Sequence, residues 1–399
     1  MKRLLSACIL STLLVGCYTT SYGSVRPATT VDRDRANCVS DYNRETDYFP
    51  NKADLKYAQG FEVEYRDNYK IVTVKNPWKG SEVSFEYVLV QCGTPIPDGF
   101  DRDRIIRVPV ESAVALATPY LGHLDRLQLL DRLVGVSNAK RINTPGVVAK
   151  LKTNEIAVLG ANHALNIEAI LNLNPDLILT FGMGNAQFDT HPKLLEANLN
   201  VALNAAYLET SPLARAEWIK FTALFFNREA KANRAFAEID REYHRIAKRV
   251  RDIEDRPTVF AGFNRNGTWY VPGGQSYVAQ FLADAGADYL WKDNPERGSI
   301  PLDFEVVYNR AVNANFWLNV SQDWQTTSDV VGADPRYANF AAWKSDRIYN
   351  NTARVNPHGG NDYWESGVVN PHIILADLVK IFHPEVLDNT EKTYYQKLD

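Results

Sequence analysis

From Leu213 to about Ile253 the chain contains no proline, and only Asn227-Arg228 interrupts its helical pattern. Ser211 and Pro212 stand before it as a cap and a first-turn proline, where the missing N–H costs no hydrogen bond. Such a run cannot be absorbed into a sheet. It divides the chain, and reads as one long helix or two in sequence. Its later part, residues 228–255, carries opposite charges at helical spacing, so one face is solvated and the charge itself implies no binding role.

Both flanks alternate strands with helices. Before the run, Ile105–Val110 and Ala113–Ala117 read as strands, and Tyr120–Leu133 as a helix with leucines at 121, 124, 127, 129, 130 and 133. Leu133–Val136 and Glu155–Leu159 read as further strands, Ile167–Leu173 as a short helix stopped before Pro175, and Asp176–Thr180 as a buried strand. After the run come strands at Thr258–Ala261, Ala314–Val320 and Arg347–Tyr349, with helices at Tyr277–Ala285 and Val368–Phe382. This alternation argues for parallel crossovers, and 399 residues suffice for two cores. The expected organisation is an α/β lobe over 104–210, a linking helix over 211–255 and a second α/β lobe over 256–399.

The N-terminus has its own logic. Lys2 and Arg3 precede an apolar stretch, Leu4–Gly16, too short for a permanent span, which marks residues 1–16 as a secretory leader. Its end, Leu14-Val15-Gly16-Cys17, looks like a lipobox, with Cys17 diacylated as the mature N-terminus. Residues 17–36 are polar and aperiodic, a tether from lipid to body. Cys8 leaves with the leader and Cys17 takes lipid, so Cys38 and Cys92 remain as an even pair in an oxidising compartment and are expected to form a disulfide. Between them lie short alternating runs, with Asp67-Asn68 placed like a hairpin turn and Pro77 closing a strand; residues 37–103 are therefore a small β extension. The protein is expected on the outer face of the plasma membrane, held by its acyl chains.

Several function classes are excluded. Lys+Arg 44 against Asp+Glu 48 leaves no basic footprint for nucleic acid. No His-Glu-x-x-His, Gly-x-Ser-x-Gly or P-loop occurs, and Gly273-Gly274 and Gly359-Gly360 are isolated turn pairs, so nothing points to an enzyme. The seven histidines, at 123, 163, 191, 244, 358, 372 and 383, are scattered, which argues against a receptor for bare zinc or manganese. His372 and His383, in the last helical region, read as satisfied surface residues.

The segment Ile167–Leu179 (IEAILNLNPDLIL) resembles the Glu-x-Ile-x-x-Leu-x-Pro-Asp-Leu-Ile stretch of the class III periplasmic binding proteins for ferric siderophores, ferric dicitrate and cobalamin. Ala283–Asp288, Pro301–Glu305, Asp334–Tyr337 and Gly367–Pro384 resemble recurrent pieces of their second lobe, and the order is kept from about Ile105 to Pro384. With TWYVPGGQSYVAQ and GGNDYWESGV, the pattern looks closest to cyanobacterial iron-complex-binding lipoproteins. The resemblance implies two Rossmann-like lobes joined by a rigid helix, no turnover, no resident cofactor, and a monomer that hands a ferric chelate to an ABC permease dimer with a cytoplasmic ATPase. Cobalamin or haem is the alternative cargo. By position, the resemblance makes Glu168 and Glu305 the carboxylates that dock on the permease, where exposed pairs with arginine give register and steering.

In open α/β sheets ligands sit outside the carboxyl ends of strands. In the first lobe that selects Tyr120, with Thr118 and Pro119, and the loop holding Phe181 and Met183, where Gly182 and Gly184 are expected to admit close backbone approach by the ligand. In the second it selects Arg265 and Trp269, Asn319, and the segment from Arg354 to Tyr363 and Trp364. Arg265 and Arg354 suit the oxygens of an anionic chelate. Tyr120, Trp269, Tyr363 and Trp364 suit its apolar body.

Overall fold

The computed structural model describes residues 38–161, 164–387 and 391–399; the leader 1–16, Cys17 and the tether 17–36 lie outside them. The described chain opens with a sheet of β1 (Phe61–Tyr65), β2 (Tyr69–Lys75), β3 (Ser84–Gln91) and β4 (Ile105–Val108). The first three are antiparallel, and β4 lies parallel to β3. Cys38 and Cys92 form a disulfide with their Cα atoms 4.9 Å apart, fastening the start of the extension to the end of β3.

Ile105–Val108 corrects the expected boundary at 104, because it completes this first sheet instead of the first lobe's. The reason is visible in its alternation: Ile106 and Val108 are buried while Ile105 and Arg107 are half-buried, a pattern for a sheet covered on one face. The next strand, β5 (Ala113–Ala115), is buried throughout, as a central parallel strand must be.

The first lobe continues with α1 (Pro119–Arg126), β6 (Leu133–Val136), α2 (Pro145–Lys152), β7 (Ala157–Val158), α3 (Ile167–Leu173), β8 (Leu177–Thr180), α4 (His191–Glu196) and β9 (Val201–Leu203). Its five strands are all parallel, in the order β7-β6-β5-β8-β9. The helix expected to reach Leu133 stops at Arg126, since Gln128 adopts φ 57°, a left-handed conformation that ends a helix.

The linking run is three segments, not one: α5 (Pro212–Glu217), α6 (Ile219–Leu224) and α7 (Glu229–Val250). The break falls at Asn227, with φ 51°, which asparagine tolerates better than most residues. Trp218, Phe221 and Phe225 pack into the first lobe's core, whereas Phe236, Ile239, Tyr243, Ile246 and Val250 pack into the second's. The long member, α7, buries positions 229, 232, 236, 239, 243, 246 and 250, the three-and-four spacing of a single apolar stripe.

The extension braces this linker through buried charge. Glu217 accepts the backbone N–H groups of Lys56 (3.0 Å), Tyr57 (2.6 Å) and Ala58 (2.7 Å) and pairs with Lys220. Glu209 accepts those of Gln59 and Gly60, together with Trp218 Nε1. On β2, Lys70 is fully buried and donates to Glu229 Oε1 (2.6 Å), Leu224 O (2.6 Å) and Asn227 Oδ1 (2.9 Å), the three groups that surround the break.

The second lobe holds β10 (Thr258–Ala261), the hairpin β11 (Asn264–Arg265) and β12 (Thr268–Pro272), α8 (Tyr277–Asp284), β13 (Asp288–Tyr289), β14 (Ser299–Leu302), α9 (Phe304–Ala311), β15 (Phe316–Leu318), α10 (Thr327–Ala333), α11 (Ala341–Lys344), β16 (Ile348–Asn350), α12 (Pro371–Phe382) and β17 (Gln396–Lys397). One sheet runs β13-β10-β15-β16-β17, parallel except for β17, and β11-β12-β14 form a small antiparallel sheet beside it. The two lobes thus have separate sheets. Among the described residues no helix is long and apolar enough to cross a membrane.

Candidate functional site

The carboxyl ends of the two parallel sheets face one another, because the loops that leave them touch. After β6, Lys140 and Ile142 offer carbonyls to Asn356 Nδ2, on the loop after β16, at 3.1 and 3.3 Å. The same loop supplies Glu365, wholly buried, which accepts from Asn143 N (2.8 Å), Thr144 N (2.7 Å) and the Thr144 hydroxyl. Glu365 of the second lobe therefore caps α2 of the first. Burial raises its carboxyl above the usual range, and the hydrogen bonds it accepts oppose the shift. Glu365→Ala should cost about 2–3 kcal/mol, since a desolvated carboxylate and three oriented donors lose each other. The check is the urea midpoint, and an unaltered midpoint would refute the clasp.

Deeper between the lobes lies Arg215 of α5. It donates to Glu209 O (3.0 Å) and Tyr207 O (2.7 Å) on the first-lobe side, and its guanidinium stacks 3.9 Å over the ring of Tyr277, the first residue of α8. Burial draws it below the usual arginine value. Nothing local in the sequence distinguishes Arg215 from its neighbours.

A small hollow of about 30 Å3, open to solvent, lies at the carboxyl ends of β5, β6, β7 and β8, lined by Leu116, Ser137, Gly160, Leu165, Phe181 and Phe188. The loop beyond β8 is held by Asp189, which accepts Met183 N (2.7 Å) and Asn185 N (3.0 Å), and by Tyr207, whose hydroxyl donates to Gly182 O (2.8 Å). Phe181 is half-buried in the hollow, and Met183 is exposed beside it.

The glycines of this loop have a different neighbour from the one expected. A Cβ at Gly182 would come within 2.6 Å of the Trp78 ring, and one at Gly184 within 2.5 Å. Indole, not ligand, fills the space they open. Trp78 belongs to the turn between β2 and β3, and its ring also lies 5.5 Å from that of His191.

The remaining selected residues divide. Tyr120 is buried, its hydroxyl donating to Thr180 O (2.9 Å), which corrects its assignment as a contact residue. Trp269 is likewise in the core, 0% exposed, tilted against Phe260 and Trp317 and edge-on to Tyr337, with Nε1 directed at Ala261 O. Tyr363 is buried edge-on to Tyr394 and Tyr395. All three carry large aromatic surfaces that folding covers more completely than their strand-end positions suggest. Arg265, at the hairpin turn, and Trp364 are exposed. Arg354 is half in water but ion-paired with Asp362 at 2.6 Å. Asn319 is occupied by the Tyr395 hydroxyl at 2.9 Å.

Glu168 and Glu305 occupy equivalent places: each is exposed, and each is the second residue of a short helix, α3 and α9. Their surroundings differ. Arg336 lies 3.3 Å from Glu305, stacked over Phe304 and anchored by Asp334.

Among the described residues no three of His, Cys, Asp and Glu converge as metal ligands. His383 is buried and His372 half-buried, so neither is the exposed surface residue expected. Burial lowers His372 to about 4, while His383 Nε2 lies 3.1 Å from Gly286 O.

The family model described as Periplasmic binding protein matches residues 114–355, from β5 through β16 into the Asn356 loop. Two uncharacterized lipoproteins of Methanocaldococcus jannaschii are similar along most of the chain. One is 25% identical over 366 residues, covering 86% of this chain and 85% of its own. The other is 26% identical over 403 residues, covering 97% and 98%. Among solved structures, a periplasmic binding protein from Veillonella parvula superposes with TM-score 0.56 at 15% identity, over 82% of this chain and 99% of its own. A periplasmic heme binding protein from Pseudomonas aeruginosa gives 0.54 at 18% identity, over 73% and 98%. A possible iron-binding (periplasmic solute-binding) protein from Staphylococcus epidermidis gives 0.53 at 18%, over 68% and 98%. These structural likenesses establish a shared fold.

Proposed function

The chain belongs to the periplasmic binding protein family, and on that premise we propose that it captures an iron complex of the ferric siderophore or ferric citrate type between its lobes and delivers it to an ABC permease. The observation that carries this reading is the charge left over where the carboxyl ends meet. Three acidic side chains there are engaged, Asp189 by loop N–H groups, Glu365 by α2 and Asp362 by Arg354, while Asp323 on the loop after β15 is exposed. Arg141, on the loop after β6, and Arg265, at the β11–β12 turn, are exposed cations, and the aromatic side chains Phe181 and Trp364 lie on the loops after β8 and β16. An electropositive, partly aromatic rim favours an anionic chelate with an organic body. One neighbour is described as iron-binding and another as heme binding, which makes ferric chelates and haem the first cargoes to test.

Within this reading Phe181, Met183, Arg265 and Trp364 contact the chelate, and Arg354 does so while held by Asp362. Glu168 and Glu305 present carboxylates to arginines of the two permease halves. Cys17 carries the lipid that keeps the receptor at the outer face of the plasma membrane, in keeping with the lipoprotein names of its relatives.

Eight tryptophans make the test direct. Intrinsic fluorescence of the purified protein should be quenched to saturation by ferric citrate or a ferric hydroxamate, with Kd of about 1 μM or tighter. Haemin and cyanocobalamin are the competing probes. Saturable binding of zinc alone, with no response to any chelate, would overturn the proposal.

A further inference from the structure

The turn between β2 and β3 lies outside every strand end from which the site was built, yet it reaches both lobes. Trp78-Lys79-Gly80-Ser81 is closed by Ser81 N donating to Trp78 O at 3.0 Å, and Gly80 at its third position takes φ 77°, a conformation glycine adopts without penalty. The turn therefore has a fixed shape with Trp78 and Lys79 at its tip. On one side the indole lies against Gly182 and Gly184 of the first lobe's ligand loop. On the other, Lys79 Nζ lies 3.9 Å from where a Cβ of Gly298 would stand, in the second lobe just before β14. A piece of the N-terminal sheet thus packs on the first lobe's ligand loop and comes close to the second lobe. Trp78 is half-buried, and Lys79 is exposed with no ion pair among the described residues.

We propose that this turn is a third wall of the solute site, in which Trp78 stacks on the organic face of the bound chelate and Lys79 compensates its negative charge. The proposal deepens the reading of the chain as a chelate receptor and rests on it. It also gives the β extension a part in recognition. The chemistry is selective: a half-buried indole presents one flat face without ordering cost, and an ammonium on a tight turn discriminates ligands by charge more than by shape. An anionic, carboxylate-bearing ferric complex satisfies both, whereas a neutral ferric trihydroxamate uses only the indole.

Calorimetric titration of the full folded protein with ferric citrate and with a neutral ferric trihydroxamate tests this, using Lys79→Glu, Trp78→Ala and, to keep the glycine loop packed, Trp78→Phe. Lys79→Glu should weaken ferric citrate about tenfold and leave the trihydroxamate unchanged. Trp78→Ala should weaken both chelates, with Trp78→Phe restoring most of the loss. Wild-type affinities in Lys79→Glu and Trp78→Ala would overturn the third wall and leave the receptor reading standing. Equal weakening of both chelates by Lys79→Glu would also overturn it, because damage to the loop, not charge, would then be the cause. Failure of the wild-type protein to bind any chelate would remove the receptor reading and this inference with it.

Discussion

Replacing Lys70 by Met is expected to destabilise the protein by about 3–5 kcal/mol, the usual cost of leaving one member of a buried ion pair without its partner. Glu229 is 4% exposed at its side chain and has Lys70 at 2.6 Å, so the substitution strands a carboxylate in the core. Burial draws the Lys70 ammonium below the normal lysine range, and the attraction of Glu229 acts against that. The double variant Lys70→Met/Glu229→Leu should recover a large part of the loss, because two apolar side chains need no compensation there. Recovery should stay incomplete, since Leu224 O and Asn227 Oδ1 also lose their donor. Chemical denaturation of the three proteins reads both effects, and a single variant as stable as wild type would refute the assignment. The consequence is mechanical as well. Lys70 fastens the extension to the break between α6 and α7, just before the α7 stripe passes from the first core, at Ala232, to the second, at Phe236.

Charge reversal at both docking positions, Glu168→Lys with Glu305→Lys, should abolish import while leaving chelate affinity within about twofold of wild type. Both side chains are exposed in the first turns of their helices, so stability should change by no more than about 0.5 kcal/mol. On the proposed docking, each replacement turns an attraction for a permease arginine into a repulsion. Uptake of radioiron by cells carrying only the variant receptor, set beside a binding titration of the purified protein, separates the two outcomes. Normal uptake, or lost binding, would remove these residues from the docking role. Glu168→Lys alone should be the more damaging single change. Arg336 at 3.3 Å already screens Glu305, whereas no ion pair to Glu168 is seen among the described residues.

Periodicity carried the architecture well. Continuous apolar runs such as Leu177–Thr180 became parallel strands buried on both faces, and the mixed-charge run became α7, with its stripe inward. The same signal misplaced Ile105–Val108, since a short alternating segment is equally at home in either neighbouring sheet and only pairing decides. For the site, the rule that ligands sit beyond strand ends names loops, but which side chains those loops leave open is decided by packing. Tyr120, Trp269 and Tyr363 lie on or beside those loops and point into cores. Trp78 sits far from any strand end of either lobe and reaches Gly182 and Gly184 through the packing of a separate sheet. No spacing within Asn76–Ser81 reports that.

Local chemistry is written along the chain: the paired Cys38 and Cys92, the capped start at Ser211-Pro212, the alternation of strands with helices, and two glutamates each one residue inside a helix. These depend on neighbours a few residues away or on compartment, so order alone determines them. The tertiary structure decided which charges are buried and by whom they are answered, as with Lys70 and Glu229, Glu217 and the extension's N–H groups, and Glu365 and α2. It also decided which aromatic rings remain open to a ligand. Burial is a property of residues distant in sequence meeting in a desolvated space, and the cost of placing a charge there is set by partners that no local pattern names.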